Sequence, residues 1–348
     1  MKEYFTMTLD QAKDALSYLF SDDRDLWVSM GGAIKSEFGE AGFDVWDDWS
    51  ASASNYNKKS ALSVWRSIKP FGSEKTATIA SLIYKAKEHG FKIQADDLTD
   101  EQKKQREQHI KAQKKKREQE YKIEQKKVIS EQKLVSKVSL LIWNDVLEQG
   151  GASEYLDKKK IKPFNIKFLP CALIVITHED RHEILQGAQP VNDFFSSARC
   201  KNKEVSFLYF KKGSIVVPLQ NENGVLFNLQ FIQPGGGKTF LKNGRKKGCF
   251  HLLGDWSDPK TALEVEGYAT GASLHQATQL PVAVAFDSGN LLPVIKALKS
   301  KHPDCAFAVC GDDDINSRFN TGRKKAEAAA KAVGGVAIFP NFNSLGAS

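Results

Sequence analysis

Short apolar segments alternate with helix-length segments towards the carboxyl end of the chain. Residues 262–267, 281–287, 306–314 and 336–340 each contain a run of apolar residues typical of a β-strand. The segments between them, 268–278, 291–300 and 322–333, have the length and composition of helices. An alternation of strands and helices predicts a mostly parallel sheet with helices packed on its faces.

The first three of these strands lead into acidic residues. A parallel sheet gathers the carboxyl ends of its strands at one edge, so we expect four carboxylates to meet there: Glu266, Asp287, Asp312 and Asp314. Neighbouring carboxylates repel one another and are hard to keep ionised, and a divalent cation relieves that repulsion. The sequence therefore predicts a site for Mg²⁺ or Mn²⁺ at this edge.

The same residues carry a family resemblance. Glu266-Gly267 and Asp312-x-Asp314 resemble the two signatures of the Toprim domain, which bacterial-type primases, topoisomerases and some nucleases share. The local sequences Glu-Gly-Tyr-Ala-Thr-Gly, Ala-Phe-Asp-Ser-Gly-Asn-Leu and Gly-Asp-Asp-Asp are closer to the Toprim domains of phage and plasmid primases. The resemblance implies that Glu266 acts as an acid or base and that the aspartates hold the metal. The alternative is a doubly wound domain whose acids cap helices or lie in solvated loops.

Residues 8–93 predict a small helical unit rich in tryptophan. Apolar positions at helical spacing indicate a helix over 8–19, and Ser21-Asp-Asp predicts the start of a second one. Segments at 25–28, 42–50, 65–69 and 76–90 resemble, in that order, the small helical domain called primase C-terminal domain of the second type. Its tryptophans favour core packing. Four basic residues are candidates for contact with DNA phosphates: Lys58, Lys59, Arg66 and Lys69.

A polar tract over 98–132 predicts a long solvated helix. It contains no Pro or Gly and consists of good helix formers. Residues 101–140 hold 13 Lys or Arg against 6 Asp or Glu, which accounts for most of the chain's net charge of +8. Two interpretations stay open, an exposed spacer without specific contacts and a non-specific tether for nucleic acid.

Residues 135–258 predict a β-rich subdomain. Apolar runs at 172–176, 205–210, 214–219, 225–232 and 238–241 are separated by turn sequences. The region resembles the subdomain that lines the catalytic cleft of these primases opposite the Toprim sheet. A basic hairpin, which we define as residues 238–247, precedes the first acidic strand and carries Lys238, Lys242, Arg245, Lys246 and Lys247. The resemblance assigns nucleotide or template phosphates to Lys238 and Lys247 above all, with Arg323 as a further candidate; a solvated hairpin tip is the alternative.

Composition narrows the class of protein. The five cysteines form no Cys-x-x-Cys pair and have no histidines at zinc spacing, which argues against a disulfide framework and a zinc ribbon. The longest apolar runs are far too short to span a membrane, and no signal peptide is recognisable, so we expect a cytosolic, cytoplasmic protein. His251 and His275 have no visible catalytic partner and favour structural roles.

Together these patterns predict an α/β Toprim domain, with a Rossmann-like parallel sheet, plus an α+β subdomain, preceded by a small helical domain and a long charged helix. The expected boundaries are 1–95 for the helical domain, 96–134 for the charged linker, 135–258 for the β-rich subdomain and 259–348 for the Toprim domain.

The resemblance implies a DNA primase that makes short RNA primers for phage, plasmid or prophage replication. Its partners would be a single-stranded DNA template, nucleoside triphosphates and a replicative helicase, with no membrane. Two other classes stay open. A Toprim nuclease would use the same acids with water as nucleophile, and a non-enzymatic module would bind DNA or a helicase without needing the acids.

Overall fold

The computed structural model describes residues 7–68, 77–92, 100–312 and 321–340. The chain divides into two compact units, residues 1–125 and 126–348. In the described part, no helix is both long enough and apolar enough to cross a bilayer.

The first unit is a helical domain built around tryptophans. Its helices are α1 Leu9–Ser17, α2 Arg24–Phe38, α3 Phe43–Ser50, α4 Lys58–Ser67 and α5 Ile79–Glu88. Trp46 and Trp65 are buried, and Trp27 stacks on Trp46 with ring centroids 4.7 Å apart. The Trp65 indole donates to Glu40 (2.8 Å) and the Trp46 indole to the carbonyl of Trp27 (3.1 Å). Because their polar atoms are satisfied inside the unit, these rings form its core, as the sequence predicted.

The charged tract is part of one continuous helix, α6 Asp100–Leu141, of 42 residues. The charged helix was predicted to end near 132, but the chain has no helix breaker there and α6 continues into the apolar positions Val135 and Val138. A π-helical turn, Ile142–Val146, follows. Val135, Val138 and Ile142 are buried at helical spacing, so this end of the helix packs on the second unit's core.

Two antiparallel sheets form the β-rich part of the second unit. The first has the order β1-β5-β6-β7 and the second β3-β2-β4. Their strands are β1 Lys167–Phe168, β2 Leu173–Thr177, β3 His182–Gln186, β4 Ser206–Phe210, β5 Ile215–Gln220, β6 Leu226–Ile232 and β7 Lys238–Phe240. Three short helices accompany them: α7 Glu154–Lys159, α8 Ala188–Ser196 and α9 Ala198–Lys201.

The carboxyl-terminal sheet has five strands in the order β12-β11-β9-β10-β8. Four strands are parallel, as predicted, and β8 pairs with β10 in the antiparallel direction. These strands are β8 His251–Leu253, β9 Thr261–Val265, β10 Val282–Val284, β11 Ala306–Cys310 and β12 Val336–Ile338; the helices between them are α10 Tyr268–Thr278, α11 Leu291–Lys301 and α12 Thr321–Ala332. β8 lies ahead of the boundary expected at 259.

One apolar core joins this sheet to the β-rich part. Ile215 and Val217 of β5 pack in the same cluster as Leu263 and Val265 of β9. The peptide of Phe164 adds polar contacts to the carboxyl-terminal sheet and its helix, because its N–H donates to the Tyr268 hydroxyl (2.9 Å) and its carbonyl lies 3.0 Å from Nε2 of His251. The other face of the five-stranded sheet packs against α11 and α12.

Candidate active site

The central strands of the five-stranded sheet deliver their acids to one edge. In the parallel register Val265 of β9 lies beside Val284 of β10 and Cys310 of β11. Glu266 directly follows β9, and Asp287 and Asp312 come shortly after the ends of the other two strands. The described acids therefore follow strands that end together, as predicted.

The amino end of α12 lies directly against two of these acids. A Cβ atom placed on Gly322 would lie 3.0 Å from the carbonyl oxygen of Asp312 and 3.5 Å from Oε1 of Glu266. A Cβ on Gly311 would lie 2.7 Å from the Cβ of Ala326 and 2.8 Å from the ring of Phe339. Glycines at both positions allow the amino end of α12 to lie this close to the ends of β9 and β11.

Asp287 is engaged by a lysine of the basic hairpin. Its Oδ2 lies 2.6 Å from Nζ of Lys246, and both side chains are partly exposed. Asp287 follows Phe286, whose φ of 71° is unusual for a residue with a side chain. No pattern in the sequence indicates that these two charges pair.

Only some basic side chains of the hairpin lie at the acidic edge, and others contact residues away from it. Nζ of Lys238 lies 3.7 Å from the Cβ position of Gly267, which is the N-cap residue of α10. Lys242 donates to Ser206 (3.1 Å), and the Arg245 guanidinium lies 4.5 Å from the centre of the Phe227 ring. Lys247 is exposed.

Arg323 lies in the first turn of α12, one residue after Gly322. Its Nε is 3.2 Å from Glu327, and its guanidinium lies 4.3 Å from the centre of the Phe339 ring. Both contacts fix its side chain close to the acidic edge.

Two predicted residues, Asp314 and Lys69, lie outside the described residues. Within the described ranges, no group of three or more His, Cys, Asp and Glu side chains is arranged to hold a metal ion. The donors that the edge does present, carboxylates of Glu266 and Asp312, are of the kind that Mg²⁺ and Mn²⁺ prefer. Their chemistry fits a divalent cation.

The remaining basic candidates belong to α4 of the first unit. Lys58, Lys59 and Arg66 are exposed, and Lys58 lies 3.9 Å from Asp47. Their exposure leaves them accessible to an anionic partner.

The two histidines near the acids are structural in the fold. His251 is buried in β8, where desolvation lowers its pKa to about 4. Nδ1 of His275 lies 2.7 Å from the carbonyl of Leu280. Both rings face backbone carbonyls and lie in or beside the core.

Two buried polar residues beside the site were not predicted from the sequence. Asn290 is 3% exposed and contacts four backbone groups. Glu264 is fully buried in β9, and neither of its carboxyl oxygens has a hydrogen-bond partner among the described residues. Burial raises its pKa well above the usual range. The signal available was a glutamate inside an apolar strand, two positions before Glu266.

Comparison with known proteins confirms the resemblance to primases of the phage and plasmid type. Residues 12–86 match the family described as Primase C terminal 2 (PriCT-2). The chain is 46% identical over 133 residues to two proteins named DNA primase TraC, both from Escherichia coli. Each match covers 36% of this chain, and 12% and 9% of the respective relatives, so the chain spans only about a tenth of their length.

Solved structures give a weaker likeness. A structure described as the DnaG primase catalytic domain bound to ssDNA has a TM-score of 0.40 at 16% identity, covering 62% of this chain and 74% of that one. The E. coli primase catalytic core has a TM-score of 0.36 at 16% identity, covering 55% and 65%. Scores of this size do not establish a shared fold, so the α/β assignment rests on the strand order and registers described above.

Proposed function

We propose that this chain is a DNA primase that joins nucleotides on single-stranded DNA with the help of a divalent cation, in the replication of a phage, plasmid or prophage. The observation that carries the proposal is that the Glu266 carboxylate and the backbone of Asp312 both lie against Gly322 at the amino end of α12, with Lys238 beside the amino end of α10. Phosphoryl transfer needs carboxylates that can bind a divalent metal ion and a positively charged side chain that can bind phosphate.

Each group has a role in the proposed reaction. Asp312, Asp314 and Glu266 would hold the cation. Asp287, the fourth acid expected from the sequence to bind it, is paired with Lys246 and is given no metal-binding role in this proposal. When bound, the cation neutralises charge that builds on the attacked phosphate. The Glu266 carboxylate would alternatively accept the proton of the attacking hydroxyl. Lys238 lies by the amino end of α10, where the helix dipole adds positive potential, and would bind phosphate oxygens.

The proposed partners follow from the same resemblance. Template DNA and nucleoside triphosphates would bind along the basic hairpin, and Arg323 would add a further cation at the amino end of α12. In the helical unit, Lys58, Lys59, Arg66 and Lys69 would contact the strand, and a replicative helicase is the proposed protein partner. Ribonucleotides are the proposed substrates, which makes the product an RNA primer.

A primer-synthesis assay tests the proposal. The chain is incubated with single-stranded DNA, labelled ribonucleotides and Mg²⁺ or Mn²⁺, and the products are separated by size. Labelled oligonucleotides should form only when template, nucleotides and metal are all present. Degradation of the template without nucleotides would favour the nuclease class, and a chain that binds DNA but forms no product would favour the non-enzymatic one.

Changing Lys238 and Lys247 to alanine is expected to weaken phosphate binding. If incoming nucleotide is the ligand, its KM should rise about tenfold, since one lost charge-assisted contact is worth about 1.5 kcal/mol or more. If template is the ligand, the slope of log binding constant against log salt should become shallower by about 1.4, because two fewer phosphates of a single strand are neutralised.

The matched control removes two lysines at the opposite edge of the sheet. Lys260 precedes β9 and Lys301 ends α11. Changing both to alanine removes the same total charge away from the site, so KM and the salt slope should stay near those of the unchanged chain. Equal effects from the two double variants would show that only net charge matters.

A further inference from the structure

We propose that Asp287 and Asn290 are positioning residues, which hold the ammonium group of Lys246 at the acidic edge as a phosphate-binding group. The inference rests on the proposed function, because it supplies the phosphate ligand. It assigns to Lys246 the same phosphate-binding role that the family resemblance implies for Lys238 and Lys247.

Asn290 fastens the end of the basic hairpin to the end of β10. Its Nδ2 lies within hydrogen-bond distance of three carbonyls, those of Lys246 (3.2 Å), Cys249 (2.8 Å) and Ala285 (2.8 Å). Its Oδ1 accepts from the N–H of Gly248 (2.7 Å). All four partners are backbone groups, so the side chain fixes the path of residues 246–249 relative to the strand. Because Asn290 is buried, these contacts are shielded from competing water.

Asp287 fixes the side chain of the same lysine. Its Oδ2 lies 2.6 Å from Nζ of Lys246, and the Lys246 side chain remains 42% exposed. The ammonium also lies 5.2 Å from the centre of the Phe240 ring, which packs edge to face on Phe286. An ion pair this exposed contributes only about 0–1 kcal/mol to stability. We therefore expect the ion pair mainly to fix the position of the Lys246 ammonium group.

A second lysine approaches the same turn. Nζ of Lys325, on α12, is 3.5 Å from the hydroxyl of Ser288. A Cβ atom on Gly289 would lie 3.0 Å from Oδ1 of Asp287 and 3.6 Å from this ammonium. An ammonium has three N–H donors, so Lys246 can bind Asp287 and still donate to a ligand. The turn at 287–290 thus presents two cations to solvent, an arrangement suited to phosphate oxygens.

A mutant cycle tests whether Asp287 and Asn290 act through Lys246. The variants are Lys246→Met, Asp287→Asn and Asn290→Ser, singly and with each of the last two combined with Lys246→Met. Two binding measurements separate the sources of phosphate: the KM for nucleotide in primer synthesis, and the Kd for a fluorescein-labelled oligothymidylate by anisotropy. The Mg²⁺ concentration for half-maximal synthesis is recorded for each variant.

Each single variant is expected to raise one of these two constants about fivefold to tenfold, with kcat within about twofold. The doubles should bind no more weakly than Lys246→Met alone, because residues that share one contact are not additive. The Mg²⁺ requirement should stay unchanged. Asp258 and Lys260 form a comparable ion pair at the other edge of the sheet, with Oδ2 2.9 Å from Nζ. The control variants Asp258→Asn and Lys260→Met should change neither constant.

Three results would overturn the inference: additive effects in the doubles, no effect of Lys246→Met on either ligand, or a changed Mg²⁺ requirement when Asp287→Asn is added to Lys246→Met. The last would make Asp287 a metal ligand instead. If Asn290→Ser unfolds the chain, the Asp287 and Lys246 variants, which leave the backbone contacts intact, still decide the question. If the chain without substitutions binds the oligonucleotide but makes no primers, the proposed function is wrong while this inference still stands. The variants would then be compared by their Kd for the oligonucleotide.

Discussion

Replacing Asp312 or Asp314 by alanine is expected to abolish primer synthesis while leaving the fold intact. Each change removes a proposed metal ligand. Mutating a residue that only supports a metal ligand typically lowers activity by up to about 100-fold, so losing a ligand itself should lower activity by more than that. Asp312 is exposed, and removing one carboxylate from a group that repels itself relieves strain. The melting temperature should therefore hold or rise slightly. Primer yield and thermal melting are measured on the same preparations.

Asp258→Ala is the matched control for these variants. Asp258 is an exposed aspartate just before β9, at the edge of the sheet opposite Glu266. It should retain full activity. Unchanged primer synthesis by both Asp312→Ala and Asp314→Ala would show that neither aspartate is part of the catalytic site. Loss of nucleotide-independent cleavage in place of synthesis would identify the nuclease class.

Changing Glu264 to leucine is expected to stabilise the protein. The carboxyl group is fully buried in the apolar layer between the sheet and helices α11 and α12, without a hydrogen-bond partner among the described residues. Leucine has a similar volume and no polar group to desolvate, so the free energy of unfolding at pH 7 should rise by about 1–3 kcal/mol. Chemical denaturation monitored by tryptophan fluorescence measures the change.

The gain from Glu264→Leu should depend on pH. Burial raises the pKa of Glu264 in the folded chain, whereas the unfolded carboxyl ionises near about 4.3. The native chain therefore loses stability as pH rises from that value towards the raised pKa, and the leucine variant does not. Glu264→Gln should remove this pH dependence yet keep most of the burial cost. A leucine variant less stable than the native chain would show that the carboxyl makes a favourable contact.

Regular patterns in the sequence predicted most of the elements. Apolar runs such as 282–285 and 306–310 mark strands buried on both faces, and their alternation with helix-length segments predicts the parallel direction. β3 was missed because His182, Glu183 and Gln186 make it too polar for that pattern, and it is held by pairing with β2. The continuation of α6 was missed because its apolar end resembles a separate helix.

The site was predictable where it depends on strand ends and not where it depends on tertiary contacts. Glu266 and Asp312 follow adjacent parallel strands, so their proximity follows from topology alone. The Asp287 to Lys246 pair joins residues 41 positions apart in the chain, and no local pattern specifies it. Asn290 was overlooked because an asparagine in a Ser-Gly-Asn turn ordinarily indicates a solvated loop, whereas here it is buried.

The core shared between β5 and β9 limits how this chain could be recombined during evolution. Leu263 and Val265 on one sheet pack in one cluster with Ile215 and Val217 from the other, and the Phe164 peptide adds contacts to Tyr268 and His251. A gene fragment that supplied only residues 259–348 would leave this apolar face uncovered and prone to aggregation. A segment inherited with its core closed would therefore contain both the β-rich part and the five-stranded sheet, which lie together in the second unit.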